Sequence, residues 1–197
     1  MEEILHLINL FVDNIPGIGR KNAMRIILTL LKKQKTLMPE LGNILIEYSK
    51  TLKTCHICNN TTTQDICDIC SDVNRNPEIL CIIESLNELI NFENAHLSCK
   101  YYILGEDFFE NIIQNEAIIN PLKKRLNDEK LKEIIIAFDT TSSGQTNLFF
   151  LHDVIKNIKP NLKITTLSRG IPAGTNIDYI DDVTIKQAFQ KRLEIEE

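Results

Sequence analysis

Four cysteines within sixteen residues, in the run CHICNNTTTQDICDIC, are the densest chemistry in this 197-residue chain. Cys55-x2-Cys58 and Cys67-x2-Cys70, separated by eight residues, can offer four thiolates to one tetrahedral ion. An all-sulfur set leaves no open position for water, so the pattern predicts a structural zinc site holding one Zn2+ per chain. A redox-active pair is expected singly beside a βαβ unit, and the N-terminus MEEILHLINLFVDN starts acidic and amphipathic, unlike an export signal that would favour disulfides. The segment holds few apolar side chains, so metal binding is expected to supply its stability. His56 sits inside the first knuckle, where a solvent-facing or hydrogen-bonding role is the simpler reading than a substitute ligand. Cys81 lies in an apolar run and reads as a small buried side chain.

A second constellation precedes the cysteines. IPGIGRKNAMR, residues 15–25, places Gly17 and Gly19 between two amphipathic stretches. This apolar-x-Gly-apolar-Gly pattern predicts a helix-hairpin-helix, in which glycines turn the backbone at positive φ and keep side chains out of the way. Amides at the start of the second helix can then hold a phosphate, aided by the helix dipole. Arg20 adjoins that start, Lys21 and Arg25 lie one turn apart on one face, and Lys32 falls near the same line. Such positioning chemistry predicts binding to single- and double-stranded DNA without sequence preference and with strong salt dependence. A bare interhelical turn is the competing reading. Charge placement favours the first: the chain is −5, yet residues 1–54 hold eight Lys/Arg against five Asp/Glu, and residues 14–39 hold six cations and no acid.

Two carboxylates form a sparser third signal. Glu84 closes one apolar run and Asp139 closes another, before TTSSGQT. A Toprim-type fold, shared by topoisomerases and primases, arranges a glutamate and an Asp-x-Asp pair at such strand ends around Mg2+. Here the second aspartate position is Thr141, so at most a weak, water-rich Mg2+ site is expected and the acids read as non-catalytic. His6, His96 and His152 stand apart from any Cys or Ser partner and read as surface histidines. Tyr101 and Tyr102 read as strand residues in preference to base-stacking ones.

The elements that must position these groups follow from periodicity. Helical spacing covers residues 3–12, resumes with Ala23, Ile26, Ile27, Leu30 and Leu31, and returns over 39–51 with Leu41, Ile44, Leu45 and Tyr48 expected to face inward. Beyond the cysteines, EILCIIES (78–85), KYYILGE (100–106), LKEIIIAFD (131–139) and LKITTLS (162–168) read as buried parallel strands. Helix-like stretches lie between them at 86–94, at 111–127 with a break at Pro121, and at 144–158. TIKQAFQKRLEIEE, at 184–197, reads as a terminal helix. The expected fold class is α+β multidomain: an N-terminal helix-hairpin-helix unit, a four-cysteine zinc knuckle, an α/β Toprim-like domain with a mostly parallel sheet, and a C-terminal helical tail. No stretch approaches the about 20 apolar residues of a membrane span, and a cytoplasmic protein is expected.

This order of motifs resembles the bacterial RecR family of recombination mediators. The matching pieces are IPGIGRKNAMR, CHIC, CDICSDVNRNPEILCIIES, YYILGE, EIIIAFDTTSSGQT and LSRGIPAGTNIDYIDDVTIKQAF. The resemblance implies a non-enzymatic DNA clamp in recombinational repair, working with RecO, and with RecF where present, to load recombinase on strands coated by single-strand-binding protein. It implies homodimers and ring-like homotetramers, nucleoid-associated during repair. On that basis the chain divides into a DNA-binding and oligomerisation region (1–54), a zinc finger (55–77), a Toprim-like domain (78–172) and a C-terminal oligomerisation segment (173–197). Lys21 and Arg25 match the family's DNA-contacting cations, the four cysteines its zinc ligands, and Glu84 its first-strand acid. The chain departs from the family at DTTSSGQ, where Ser143 and Gln145 replace two acids, and at GEDFFENIIQNE, which replaces a loop rich in glycine and proline. Two rivals follow from the residues alone: a Mg2+-dependent Toprim nuclease or primase-like enzyme using Glu84 and Asp139, and an adaptor that binds a repair protein without touching DNA.

Overall fold

In the computed structural model, residues 1–105, 107–114, 116–168 and 170–192 are described, and the chain divides into two compact units, Met1–Lys53 and Thr54–Glu197. Residues 193–197 of the expected terminal helix lie outside the described residues.

The first unit is three helices: α1 (Glu2–Asn14), α2 (Arg20–Lys32) and α3 (Leu37–Thr51). Ile8 of α1 interlocks with Ala23 and Ile27 of α2, and Ile4, Leu7, Phe11, Leu30 and Leu31 pack around them. Those are the i, i+3, i+4 positions of both helices, so each contributes one apolar stripe to a shared seam. The inward face expected of α3 requires correction. Leu41, Ile44, Leu45 and Tyr48 are 38, 40, 60 and 46% exposed, and no residue of α3 is buried. The stripe exists, but α1 and α2 fill the small core between themselves, and helical period reports a face without saying what covers it.

The short strand β1 (Lys53–Thr54) spans the division in sequence, and the second unit continues with β2 (Thr61–Thr62) and the single-turn helix α4 (Asp68–Ser71). A four-stranded parallel sheet follows, made of β3 (Asn76–Ile83), β4 (Cys99–Ile103), β5 (Glu133–Ile136) and β6 (Lys163–Thr166), in the order β4-β3-β5-β6. Each crossover carries helix: α5 (Leu86–Asn94) after β3, α6 (Phe108–Gln114) and α7 (Asn120–Leu126) after β4, and α8 (Ser142–Ile158) after β5. The break expected at Pro121 is a 3-10 turn, Glu116–Ile119, with the proline in the first turn of α7, where its missing N–H costs nothing.

Both sheet faces are covered, which explains why β3 and β4 read as continuous apolar runs. Leu80 and Ile82 point to a core completed by Leu122 and Leu126 of α7 and Leu151 and Ile155 of α8. Cys81 and Ile83 point the other way, to Leu89 of α5 with Cys99 and Tyr101 of β4. Tyr101 and Tyr102 are thus buried strand residues, 1 and 3% exposed. A last helix, α9 (Asp182–Gln190), starts on Asp181, whose carboxylate accepts from the Thr184 N–H at 2.9 Å. Among the described residues no helix is long and apolar enough to cross a membrane.

The start of α8 is the tightest joint between sheet and helix. Thr141 caps it, its hydroxyl accepting from the Gly144 N–H at 3.1 Å, and a Cβ on Gly144 would collide with the backbone carbonyl of Asp139. Gly144→Ala is therefore expected to destabilise the second unit by about 1–3 kcal/mol, because the obstacle is backbone that cannot rotate away. Urea unfolding followed by circular dichroism checks this; an unchanged midpoint would mean that the joint is slack.

Candidate nucleic-acid and metal sites

The hairpin forms as a turn between α1 and α2. Gly17 adopts φ 80°, a conformation that other residues reach only with strain, so the first glycine is required by the backbone. Gly19 differs from the expectation of positive φ: it is extended, at φ −78°, and serves as the N-cap of α2. A Cβ there would meet nothing within 4 Å, so the position lies open beside the helix start and the chain itself does not require a glycine, and no side chain caps the helix. The first amides of α2 are left for water or a ligand. Lys21, Arg25 and Lys32 are all exposed, on the side of α2 opposite buried Ala23 and Ile27. Arg20 is also exposed, but its guanidinium turns back toward α1 and donates to Asn9 Oδ1 at 3.3 Å.

The four cysteines converge. Cys55, Cys58 and Cys67 are buried, Cys70 is half-buried, and their sulfurs all lie within 4.8 Å of one another. Cys58 Sγ and Cys67 Sγ are 3.5 Å apart, close to the about 3.8 Å edge of a tetrahedron with 2.3 Å metal–sulfur bonds. All six cysteines of the chain are free thiols. Burial raises the Cys55 thiol, but hydrogen bonds from the backbone N–H groups of Cys67, Ile57 and Cys58 outweigh it and bring the group down to about 7. Cys58 is pushed up by its hydrogen bond with Cys70 and by burial, and Cys67 by burial and the neighbouring Cys58. Such a mixture suits a cation that replaces the thiol protons. The donor set could hold a metal ion and is consistent with zinc. His56 is exposed, outside the quartet.

The knuckle is fastened to the sheet along the outer edge of β4. Ile103 N–H donates to the Cys58 carbonyl at 2.9 Å, and the Asn59 side-chain amide donates to the Ile103 carbonyl at 2.9 Å. Asn59 reaches this position through a left-handed backbone, φ 62°, which asparagine tolerates well. Lys100, only 8% exposed, donates to the carbonyls of Ile69, Cys70 and Asp72 at 2.9, 3.0 and 2.6 Å, closing the end of α4. Sequence reasoning passed over Lys100 and Asn59. The one available signal was a lysine inside an otherwise apolar strand, since a buried ammonium must find acceptors.

Glu84 and Asp139 do face each other electrostatically. Burial raises the Glu84 carboxyl above its ordinary value near 4.5; the Asn147 amide, donating to Glu84 Oε1 at 3.1 Å, opposes this, and Glu88 and Asp139 add to it. Thr141, at the missing second aspartate, is occupied as the α8 cap. Glu88 is likewise committed, accepting from the Ser85 N–H at 3.4 Å in the capping box of α5 and from the Glu84 N–H at 2.7 Å. Among the described residues, the cysteines are the one group of three or more Cys, His or acidic side chains placed to hold an ion. Because the folded carboxyl binds its proton more tightly than the unfolded one, stability is highest below the ordinary value and falls as pH rises through the raised one. Glu84→Gln should therefore raise the melting temperature at neutral pH, and its advantage over wild type should shrink on acidification through that window. Parallel melting curves across pH test this; a lower melting temperature at neutral pH would contradict it.

Comparison with known proteins places these features in one lineage. Residues 78–168 match the family model for the Toprim domain, and residues 170–192 match that for the C-terminal part of RecR. Among curated proteins, the chain is 34% identical over 193 residues to Recombination protein RecR of Cereibacter sphaeroides, covering 96% of each. It is 36% identical to that of Rickettsia massiliae and 35% identical to that of Bartonella henselae, in both cases over 96% of this chain and 94% of the relative. With identity at this level along nearly the whole length, and with the parallel Toprim sheet and cysteine quartet in place, the chain belongs to the RecR recombination protein family.

Proposed function

We propose that this protein is a non-catalytic DNA-binding clamp of recombinational repair. The observation that carries the reading is the exposed hairpin: an uncapped α2 start beside an open Gly19, with Lys21, Arg25 and Lys32 along one exposed face. Backbone amides and ammonium groups recognise phosphate and ignore base identity. The relatives are named recombination proteins, which supports the same reading. In this account the protein acts in the cytoplasm at the nucleoid, with RecO, and with RecF where present, to help recombinase load on strands covered by single-strand-binding protein. Homo-oligomers close the clamp, and the uncovered stripe on α3 together with exposed Tyr179 and Phe189 supplies apolar surface for protomer contacts.

One Zn2+ per chain, bound by Cys55, Cys58, Cys67 and Cys70, would hold the knuckle structurally, since four thiolates leave no coordination position for substrate. The Toprim-like domain serves as scaffold and partner platform. Mg2+ catalysis is disfavoured by Thr141 and Glu88, both tied into helix caps. The two remaining carboxylates would leave most of the six positions of an octahedral ion to water, so any Mg2+ bound there would be held weakly.

Two measurements test this account. Neutralising two phosphate contacts by Lys21→Ala/Arg25→Ala should weaken single-strand binding and make the plot of log affinity against log salt shallower by about 1.4. An unchanged affinity and slope would remove the hairpin as the grip and favour an adaptor that does not touch DNA. Elemental analysis of wild type should find one zinc per chain, and Cys67→Ser should release it. In hydrogen exchange, the Ile103 amide, bonded to Cys58, should then lose protection, while the Leu104 amide, bonded to Ile83 at 2.9 Å within the sheet, keeps it. Retained protection at Ile103 in a metal-free variant would show that the knuckle stands without metal.

A further inference from the structure

A cleft of about 550 Å³ lies between the first cysteine knuckle and α7. Its polar lining is Thr54, His56, Asn59, Lys124 and Arg125, with Ile57 and Pro121 as apolar wall, and no carboxylate lines it. That is unusual in a unit that carries twenty-two Asp/Glu against fourteen Lys/Arg. The size falls within the range of ligand clefts, about 300–1,000 Å³.

Both walls are fixed before any ligand arrives. On the knuckle side, Cys55 N–H donates to the Asn60 carbonyl at 2.7 Å, Asn59 N–H donates to the Cys55 carbonyl at 3.0 Å, and His56 N–H donates to the Asp65 carbonyl at 3.2 Å. On the helix side, Lys159 closes the end of α7 by donating to the carbonyls of Leu126 and Asp128, each at 3.1 Å. Arg125 is held by one arm, Nη1 to Asp128 Oδ2 at 2.7 Å, while its buried Nε has no partner. Lys124 is exposed, and no hydrogen bond or ion pair among the described residues engages its ammonium group.

We propose that this cleft is a second nucleic-acid contact, in which Lys124 and Arg125 hold a backbone phosphate of a single strand while the His56 ring and the Ile57–Pro121 wall take the adjoining sugar and base. The chemistry selects this class of ligand. Two cations with hydroxyl and amide donors suit a multi-oxygen anion. A flat imidazole beside apolar surface suits a base, which stacks regardless of its identity. A lone carboxylate or inorganic anion would leave that wall unused. This assignment rests on the nucleic-acid reading of the chain but uses residues remote in sequence from the hairpin, so the two can fail separately.

Binding of a labelled oligothymidine to the full-length, zinc-loaded protein across a salt series decides the matter. Lys124→Gln should lower affinity several-fold and make the salt plot shallower by about 0.7, the value for one released single-strand contact, with Lys124→Arg restoring both. The same decrement should appear in the Lys21→Ala/Arg25→Ala background. If Lys124→Gln matches wild type in affinity and slope while the hairpin variant does not, the cleft proposal is overturned and the hairpin reading stands. If Lys124→Gln loses affinity and slope while the hairpin variant does not, the cleft stands as a grip in its own right. The His56 imidazole resonances provide an independent readout: oligothymidine should shift them in wild type and in the hairpin variant. Shifts produced by thymidine monophosphate alone, with none from the strand, would reassign the cleft to a free nucleotide and overturn the strand assignment.

Discussion

The outer edge of β4 is where the second unit is held together. An edge strand presents unpaired N–H and C=O groups that invite pairing with another chain. Here Ile103 gives both of its groups to the knuckle, one to Cys58 and one to Asn59, so the cysteine segment covers part of that edge. Lys100 repeats the connection from the opposite direction. Burying an ammonium costs several kcal/mol. Three bonds from a charged donor to the last carbonyls of α4, at about 1.5–3 kcal/mol each, are enough to offset that cost. The knuckle thus gains a rigid base and the sheet loses part of an exposed edge. A site read from spacing as a local zinc staple becomes, in three dimensions, a part of the Toprim fold.

The same economy explains the acidic end of the sheet. A catalytic Toprim centre keeps several carboxylates free to converge on magnesium. In this chain Thr141 caps α8, Glu88 caps α5, and Glu84 is held by Asn147. Each group is spent on positioning a helix start or on a neighbouring side chain, which leaves a burial-raised carboxyl and one exposed aspartate. Gly144 completes the substitution of structure for chemistry, because the close approach of α8 to the Asp139 carbonyl is possible only without a Cβ. The Toprim sheet is retained, while the residues around Glu84 are drawn into helix starts and side-chain hydrogen bonds.

What could be read in advance divides along the range of the interactions involved. The Cys-x2-Cys knuckles and the apolar runs of β3 and β4 were legible because their signals are local: a fixed ligand spacing, and burial on both faces of a parallel sheet; β6 forms where expected, but as an edge strand with no buried residue. The positive φ of Gly17 follows from the same kind of local turn chemistry. Gly19 departs from the expectation because its backbone is ordinary and a Cβ would meet nothing, so neither conformation nor packing within the chain calls for glycine there. The face of α3 was predicted as an apolar stripe and then assigned to the wrong environment, since coverage depends on what packs there. Lys100, Asn59 and the Lys124–Arg125 cleft depend on residues dozens of positions apart, and no period or motif announces them.

The distribution of charge constrains how any of these surfaces can meet a polyanion. With the second unit strongly acidic, the long-range field of the chain repels nucleic acid, but at physiological salt that repulsion decays within about 8 Å. On the proposed reading attraction is therefore a contact effect, offered where the acid-free run of residues 14–39 or the acid-free cleft touches phosphate. Such an arrangement sacrifices on-rate for orientation, since repulsion removes non-productive encounters that a uniformly basic protein would retain. On the same reading, firm holding would come from the hairpin and the cleft acting together along one strand, because linked contacts multiply in effect where isolated ones do not.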